Sequence, residues 1–116
     1  MKVKHYTEIE PLQFSAGPAK GVAGRVAIGR KEGAETFCMR VFEIAPGGHT
    51  PKHVHDWEHE IFIHAGEGEV FGNGNWVPVR PGSAVYVPPN EEHQVRNSGK
   101  AALTFICLIP SKAPEL

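Results

Sequence analysis

Glycine and proline interrupt this 116-residue chain so often, 13 and 10 times respectively, that no long helix has room to run. Between the breaks lie short runs rich in Val, Ile, Phe and Thr, residues that suit a pleated, half-buried surface. The pattern predicts strands over 24–28, 35–44, 49–55, 59–64, 68–72, 75–78, 84–87, 93–97 and 101–109. Turn chemistry divides them. Pro46-Gly47-Gly48 is expected to end one strand, Asn73-Gly74 to close a two-residue hairpin, and Pro81-Gly82 and Pro88-Pro89-Asn90 to bracket another strand. Many short strands with frequent turns specify an all-β sandwich or barrel.

A chain of this length with 41% apolar residues supports one core, so 1–116 reads as a single domain. Residues 1–22, containing Pro11 and Gly17-Pro18, are expected to form an N-terminal arm or edge strand that covers a sheet edge or crosses to a second subunit. Residues 111–116 read as a short mobile tail. A net charge of −1 gives no electrostatic basis for binding nucleic acid or an anionic membrane. No stretch approaches the roughly 18 apolar residues of a membrane span, and the first residues lack the apolar centre of a signal peptide. A cytoplasmic protein is the expectation. Cys38 and Cys107 are too few for a disulfide framework, and neither belongs to a CxxC pair.

Histidine is distributed far less evenly. Of the 7 in the chain, His49, His53, His55, His59 and His64 fall within one short stretch. Alternation along a strand puts His53 and His55 on one face, about 7 Å apart along the chain. His59 precedes Ile61 and Ile63 at period two, which turns a third imidazole toward an apolar face. Imidazoles gathered on an apolar face are costly unless something pairs with them, and one metal ion satisfies all of them at once.

These residues carry two spaced motifs. The first runs Gly47, five residues, His53-Val54-His55, three residues, His59, six residues, Gly66; the second runs Gly82, five residues, Pro88-Pro89-Asn90, two residues, His93, three residues, Asn97. The chain resembles the cupin family in both, with two departures. His59 stands where most cupins carry a glutamate ligand, with Glu60 one place out of register. Asn90 stands where the second motif has glycine, and Asn tolerates the left-handed backbone that glycine would supply. The stretch from His53 to Phe62, with the Phe105-to-Pro110 ending, is similar to small four-histidine cupins of thermophilic bacteria, which bind manganese and show oxygen-dependent activity.

The resemblance implies a cupin barrel, a double-stranded β-helix or jelly roll, with one divalent transition metal on His53, His55, His59 and His93. Manganese heads the candidates, and Fe, Ni, Cu and Zn are also admissible. Four neutral imidazoles leave a divalent ion its full charge, and an octahedral ion would keep two further positions for a small-molecule substrate or O₂. Phe105 and Cys107 share the face of the last strand that the resemblance turns toward the pocket, and His49 has the strand parity to reach it. Around them, Trp57 is a candidate for the pocket rim or for plain packing, Arg40 and Glu60 for a surface ion pair, Asn97 for satisfying turn backbone, and His64 for the outer face.

The expected function is a metal-dependent oxygenase or related oxidoreductase acting on a small organic substrate. The rivals are a non-redox isomerase, lyase or decarboxylase, for which His49 is the one candidate base, and a non-catalytic small-molecule-binding module. A homodimer is expected as well, since small cupins commonly pair their sheets.

Overall fold

A computed structural model describes residues 1–15 and 17–116, and the described chain is almost wholly β. Nine strands form the architecture: β1 Leu12–Phe14, β2 Lys20–Ile28, β3 Phe37–His49, β4 His59–Ala65, β5 Gly68–Gly72, β6 Asn75–Val79, β7 Ala84–Val87, β8 Gln94–Asn97 and β9 Leu103–Pro110. All pairings are antiparallel, in the order β6-β5-β8-β3-β9-β4-β7, with β2 added to β3 and β1 to β2. The sheet curls into the barrel that the turn-rich sequence calls for. No helix is long and apolar enough to cross a membrane; the only helical pieces among the described residues are 3-10 turns at Tyr6–Glu8 and Arg30–Glu32.

Period-two patterning decides which face each strand buries. In β4, His59, Ile61 and Ile63 point inward while Glu60, Phe62 and His64 are exposed. β9 supplies Leu103, Phe105, Cys107 and Ile109 to the same interior, each no more than 3% exposed. Pro78 sits on β6, which ends the sheet order, where a missing N–H is least costly. Asn73 and Gly74 both adopt positive φ, 50° and 76°, so the two-residue hairpin forms between β5 and β6 as expected.

Three boundaries differ from the expectation. Pro46-Gly47-Gly48 does not end a strand: β3 continues to His49, and its partner register jumps from Val22↔Ile44 to Lys20↔His49, so the extra residues bulge out. Gly48 permits this, because a Cβ there would meet the Lys20 carbonyl oxygen at 2.5 Å. Consequently 49–55 is not a strand of its own; beyond His49 it keeps only an isolated bridge, His53↔His93. The N-terminal region is an edge strand in part, since β1 pairs with β2 of the same chain, although β2 itself already begins at Lys20. The 111–116 tail is packed rather than loose. Ala113 is 1% exposed, Ser111 Oγ donates to the Glu35 carbonyl, and Glu115 Oε2 accepts from Arg30 N at 2.8 Å.

Candidate metal centre

Two loops lie against each other at one mouth of the barrel. His53 N donates to the His93 carbonyl at 3.1 Å and His93 N donates back to His53 at 3.0 Å. Asn90 N donates to the His55 carbonyl at 2.7 Å, and Asn90 takes the left-handed φ of 66° that its motif position requires. His59 opens β4 and faces inward through the alternation of that strand, while His93 immediately precedes β8. The two sequence motifs, whose nearest histidines, His59 and His93, are 34 positions apart, are thereby drawn to one point.

One ligand-capable nitrogen from each of His53, His55, His59 and His93 lies within 4.8 Å of all the others. His59 and His93 are buried, His55 is half-buried and His53 is the most open. Neighbouring rings meet edge to face with centroids 4.7 to 5.0 Å apart.

The outer nitrogens define the tautomers. His55 Nδ1 lies 3.0 Å from the Trp57 carbonyl and His93 Nδ1 2.9 Å from the Glu91 carbonyl; a carbonyl only accepts, so both Nδ1 atoms carry the proton. His59 Nδ1 lies 3.1 Å from Cys107 Sγ and 3.3 Å from Arg40 Nη2, which hold that ring from behind. His55 and His93 therefore turn a bare Nε2 inward. His93 Nε2 is buried without a partner, and the Nε2 atoms of His55 and His59 stand 2.9 Å apart. A cation among the four imidazoles would give the orphaned His93 Nε2 a partner, so the donor set fits a divalent transition metal.

Electrostatics keeps His53, His55 and His59 neutral and ready to ligate. Burial pushes His59 down to about 2, and the Arg40 guanidinium adds to the effect. His53 and His55 are held below the ordinary range by desolvation first and by His93 next. Burial raises the Cys107 thiol above its usual range, with Arg40 opposing.

Behind the imidazoles lies a cavity of about 250 Å³ whose wall includes His53, His59, His93, Ile61, Phe42, Phe105, Cys107 and Arg40. Phe105 and Cys107 thus occupy the pocket wall, and Phe105 stacks on Phe42 with centroids 5.5 Å apart. His49 is not on that wall. The β3 bulge carries its ring toward Gln94 Nε2, at 3.3 Å, and the Thr50 carbonyl, at 3.1 Å from Nδ1. Trp57 is a packing residue, stacked on His55 at 4.0 Å, which stiffens one ligand. His64 is exposed, and buried Asn97 donates to the Ile44 and Ala101 carbonyls, both at 2.8 Å.

Arg40 departs from its expected surface pairing with Glu60. It is 7% exposed and pairs in register with Cys107, whereas Glu60 points outward opposite Leu108. The signal was present in the chain: Arg40 shares strand parity with Cys38, Phe42 and Ile44, an otherwise apolar row.

A curled antiparallel barrel with four convergent imidazoles at its mouth defines a class of small metal-capable β proteins. A family model described as Cupin domain matches residues 40–109, and the chain belongs to that family. It is 34% identical over 68 residues to an oxalate-binding protein of Thermotoga maritima, covering 58% of this chain and 56% of that one. Over 42 residues it is 43% identical to a glucose-6-phosphate isomerase of Thermococcus onnurineus, covering 36% of this chain and 22% of the relative. The matched segment is therefore about half, or less, of these curated relatives. Among solved structures, the polyketide cyclase RemF of Streptomyces resistomycificus superposes with a TM-score of 0.90 at 31% identity, over 98% of this chain and 82% of that one.

Proposed function

We propose that this chain is a metal-dependent oxidoreductase of the oxygenase type, acting on a small organic substrate in the cavity behind His53, His59 and His93. The observation that carries the reading is the convergence of four imidazoles, with His93 Nε2 unpartnered, beside an apolar chamber whose described wall has no Asp or Glu. His53, His55, His59 and His93 would hold one divalent ion, manganese first and then Fe, Ni, Cu or Zn. Bound there, such an ion supplies Lewis acidity and, for Mn or Fe, electron transfer with O₂.

The chain's own residues do the rest. Trp57, Glu91 and Cys107 fix ring orientation from outside, so the nitrogens need no rearrangement to ligate. Phe42, Phe105 and Ile61 exclude water and shape the space for an organic body. Isomerases and lyases generally need a positioned proton acceptor. Among the described residues no Asp, no Glu and not His49 lines this cavity, which favours the redox reading even though an isomerase and a cyclase are among the similar proteins.

The proposal includes a cytoplasmic homodimer. Its support is an outward cluster on β4, β7 and β9: Phe62 and Tyr86 are 48% and 59% exposed, Ile106 lies beside Phe62 in register, and Tyr86 and Leu108 flank Glu60.

The deciding experiment is oxygen uptake with a panel of enols, diols and alkenes, using Mn-, Fe- and Zn-loaded protein and the His59→Ala variant. Uptake with Mn or Fe that disappears with Zn and in the variant is expected. Turnover that persists anaerobically or with Zn would transfer the protein to the isomerase and lyase class, and ligand binding without turnover would make it a binding module.

A further inference from the structure

Arg40 is a permanent cation in an apolar interior, and the chain does not neutralise it. No carboxylate among the described residues lies within ion-pair distance of it. Its Nη2 donates to Cys107 Sγ at 3.0 Å and lies 3.3 Å from His59 Nδ1, so its side-chain neighbours are both uncharged. Nη1 reaches only the Glu115 backbone carbonyl, at 3.4 Å, and Nε is buried with no acceptor at all. A thiol sulfur is a weak acceptor and a carbonyl at that distance is a marginal one. Unpaired buried charge is among the costliest features a fold can carry, yet β3 holds this one on the cavity wall beside Phe42.

We propose that Arg40 makes this cavity a site for an organic acid, whose carboxylate accepts from the guanidinium while its apolar body lies between Phe42, Phe105 and Ile61. The inference names the substrate class of the chamber described above and rests on its being the ligand chamber; it does not require the metal. A singly charged planar carboxylate matches one guanidinium, which has N–H donors to spare and a fork geometry suited to two parallel bonds. A phosphate would bring more charge than the wall can answer, since Arg40 is the only Lys or Arg among the described residues that line the cavity.

Benzoate and benzamide share size and shape and differ in charge, so their affinities for the chain isolate the contribution of Arg40. Both are titrated by calorimetry at neutral pH into metal-free and Mn-loaded wild type, Arg40→Met and Arg40→Gln. The metal-free arm removes the attraction of the ion for any anion. Wild type is expected to prefer benzoate by about tenfold or more in both forms, as a charge-assisted pair provides. Both variants should lose that preference in the metal-free form. They should also fold and melt no earlier than wild type, because they remove an uncompensated buried charge.

Equal binding of benzoate and benzamide to wild type would overturn the proposal. So would a preference that survives both substitutions. If both variants failed to fold, the guanidinium would be compensated within the chain, and the proposal would fall on that ground. Manganese titration of the wild type reads the metal-site hypothesis separately, so failure there leaves the metal-free comparison decisive for Arg40.

Discussion

At the residue scale, each buried histidine of the site has one nitrogen anchored and one exposed to the centre. His59 carries this furthest. It is 7% exposed, with Arg40 and Cys107 at its back and His53, His55 and His93 around its front. Its folded-state protonation is pushed down to about 2 from an ordinary 6.5, by burial and then by Arg40. Above pH 6.5 the ring is neutral whether folded or unfolded, and it leaves stability unchanged. Below that, the unfolded chain takes up a proton that the folded chain refuses, so stability falls as pH falls, by about 1.4 kcal/mol per pH unit for one such ring. Chelator-treated protein should therefore show a flat denaturation midpoint from pH 8 to 7 and a steep loss between pH 6.5 and 4.5. His59→Gln should flatten that slope; an equal slope in the variant would assign the loss to other groups.

At the element scale, β3 organises the site, because it holds β2, β8 and β9 and places both Arg40 and the approach to the ligand loop. Its bulge at 45–48 depends on Gly48, where the Lys20 and Ala45 carbonyl oxygens lie 2.5 and 2.9 Å from a built Cβ. Gly48→Ala should cost about 2 kcal/mol or more in urea denaturation and weaken metal binding through the displaced loop. A change within about 0.5 kcal/mol would show that the bulge relaxes freely.

The strands with clean alternation, β4 and β9, were legible in the sequence because period two reports burial directly. So were the Asn73-Gly74 hairpin and the left-handed Asn90, whose backbone needs are local. The continuation of β3 through Pro46-Gly47-Gly48 was not, because a bulge and a turn share the same residues and only the partner strand separates them. Arg40 was misread for a related reason. Charge suggests a surface, and only the register of β3 against β9 places the residue beside Cys107.

At the scale of the whole molecule, the barrel has a histidine-lined mouth and an outer face where apolar side chains surround Glu60. The proposed homodimer buries that face, with Phe62, Tyr86, Ile106 and Leu108 near its centre. Light scattering should return twice the 12.7 kDa chain mass, and Phe62→Glu should return the chain mass itself. A wild-type monomer at working concentration would remove the dimer from the account.

The same scale joins fold and metal, since an ion that binds only the folded chain stabilises it by mass action. The most direct measurement is a calorimetric titration of chelator-treated protein with Mn(II), paired with elemental analysis of protein purified without affinity metals. The account predicts one ion per chain, carried through purification and lost in His59→Ala. A chain that takes up no divalent transition metal, or binds it equally well without His59, would contradict it.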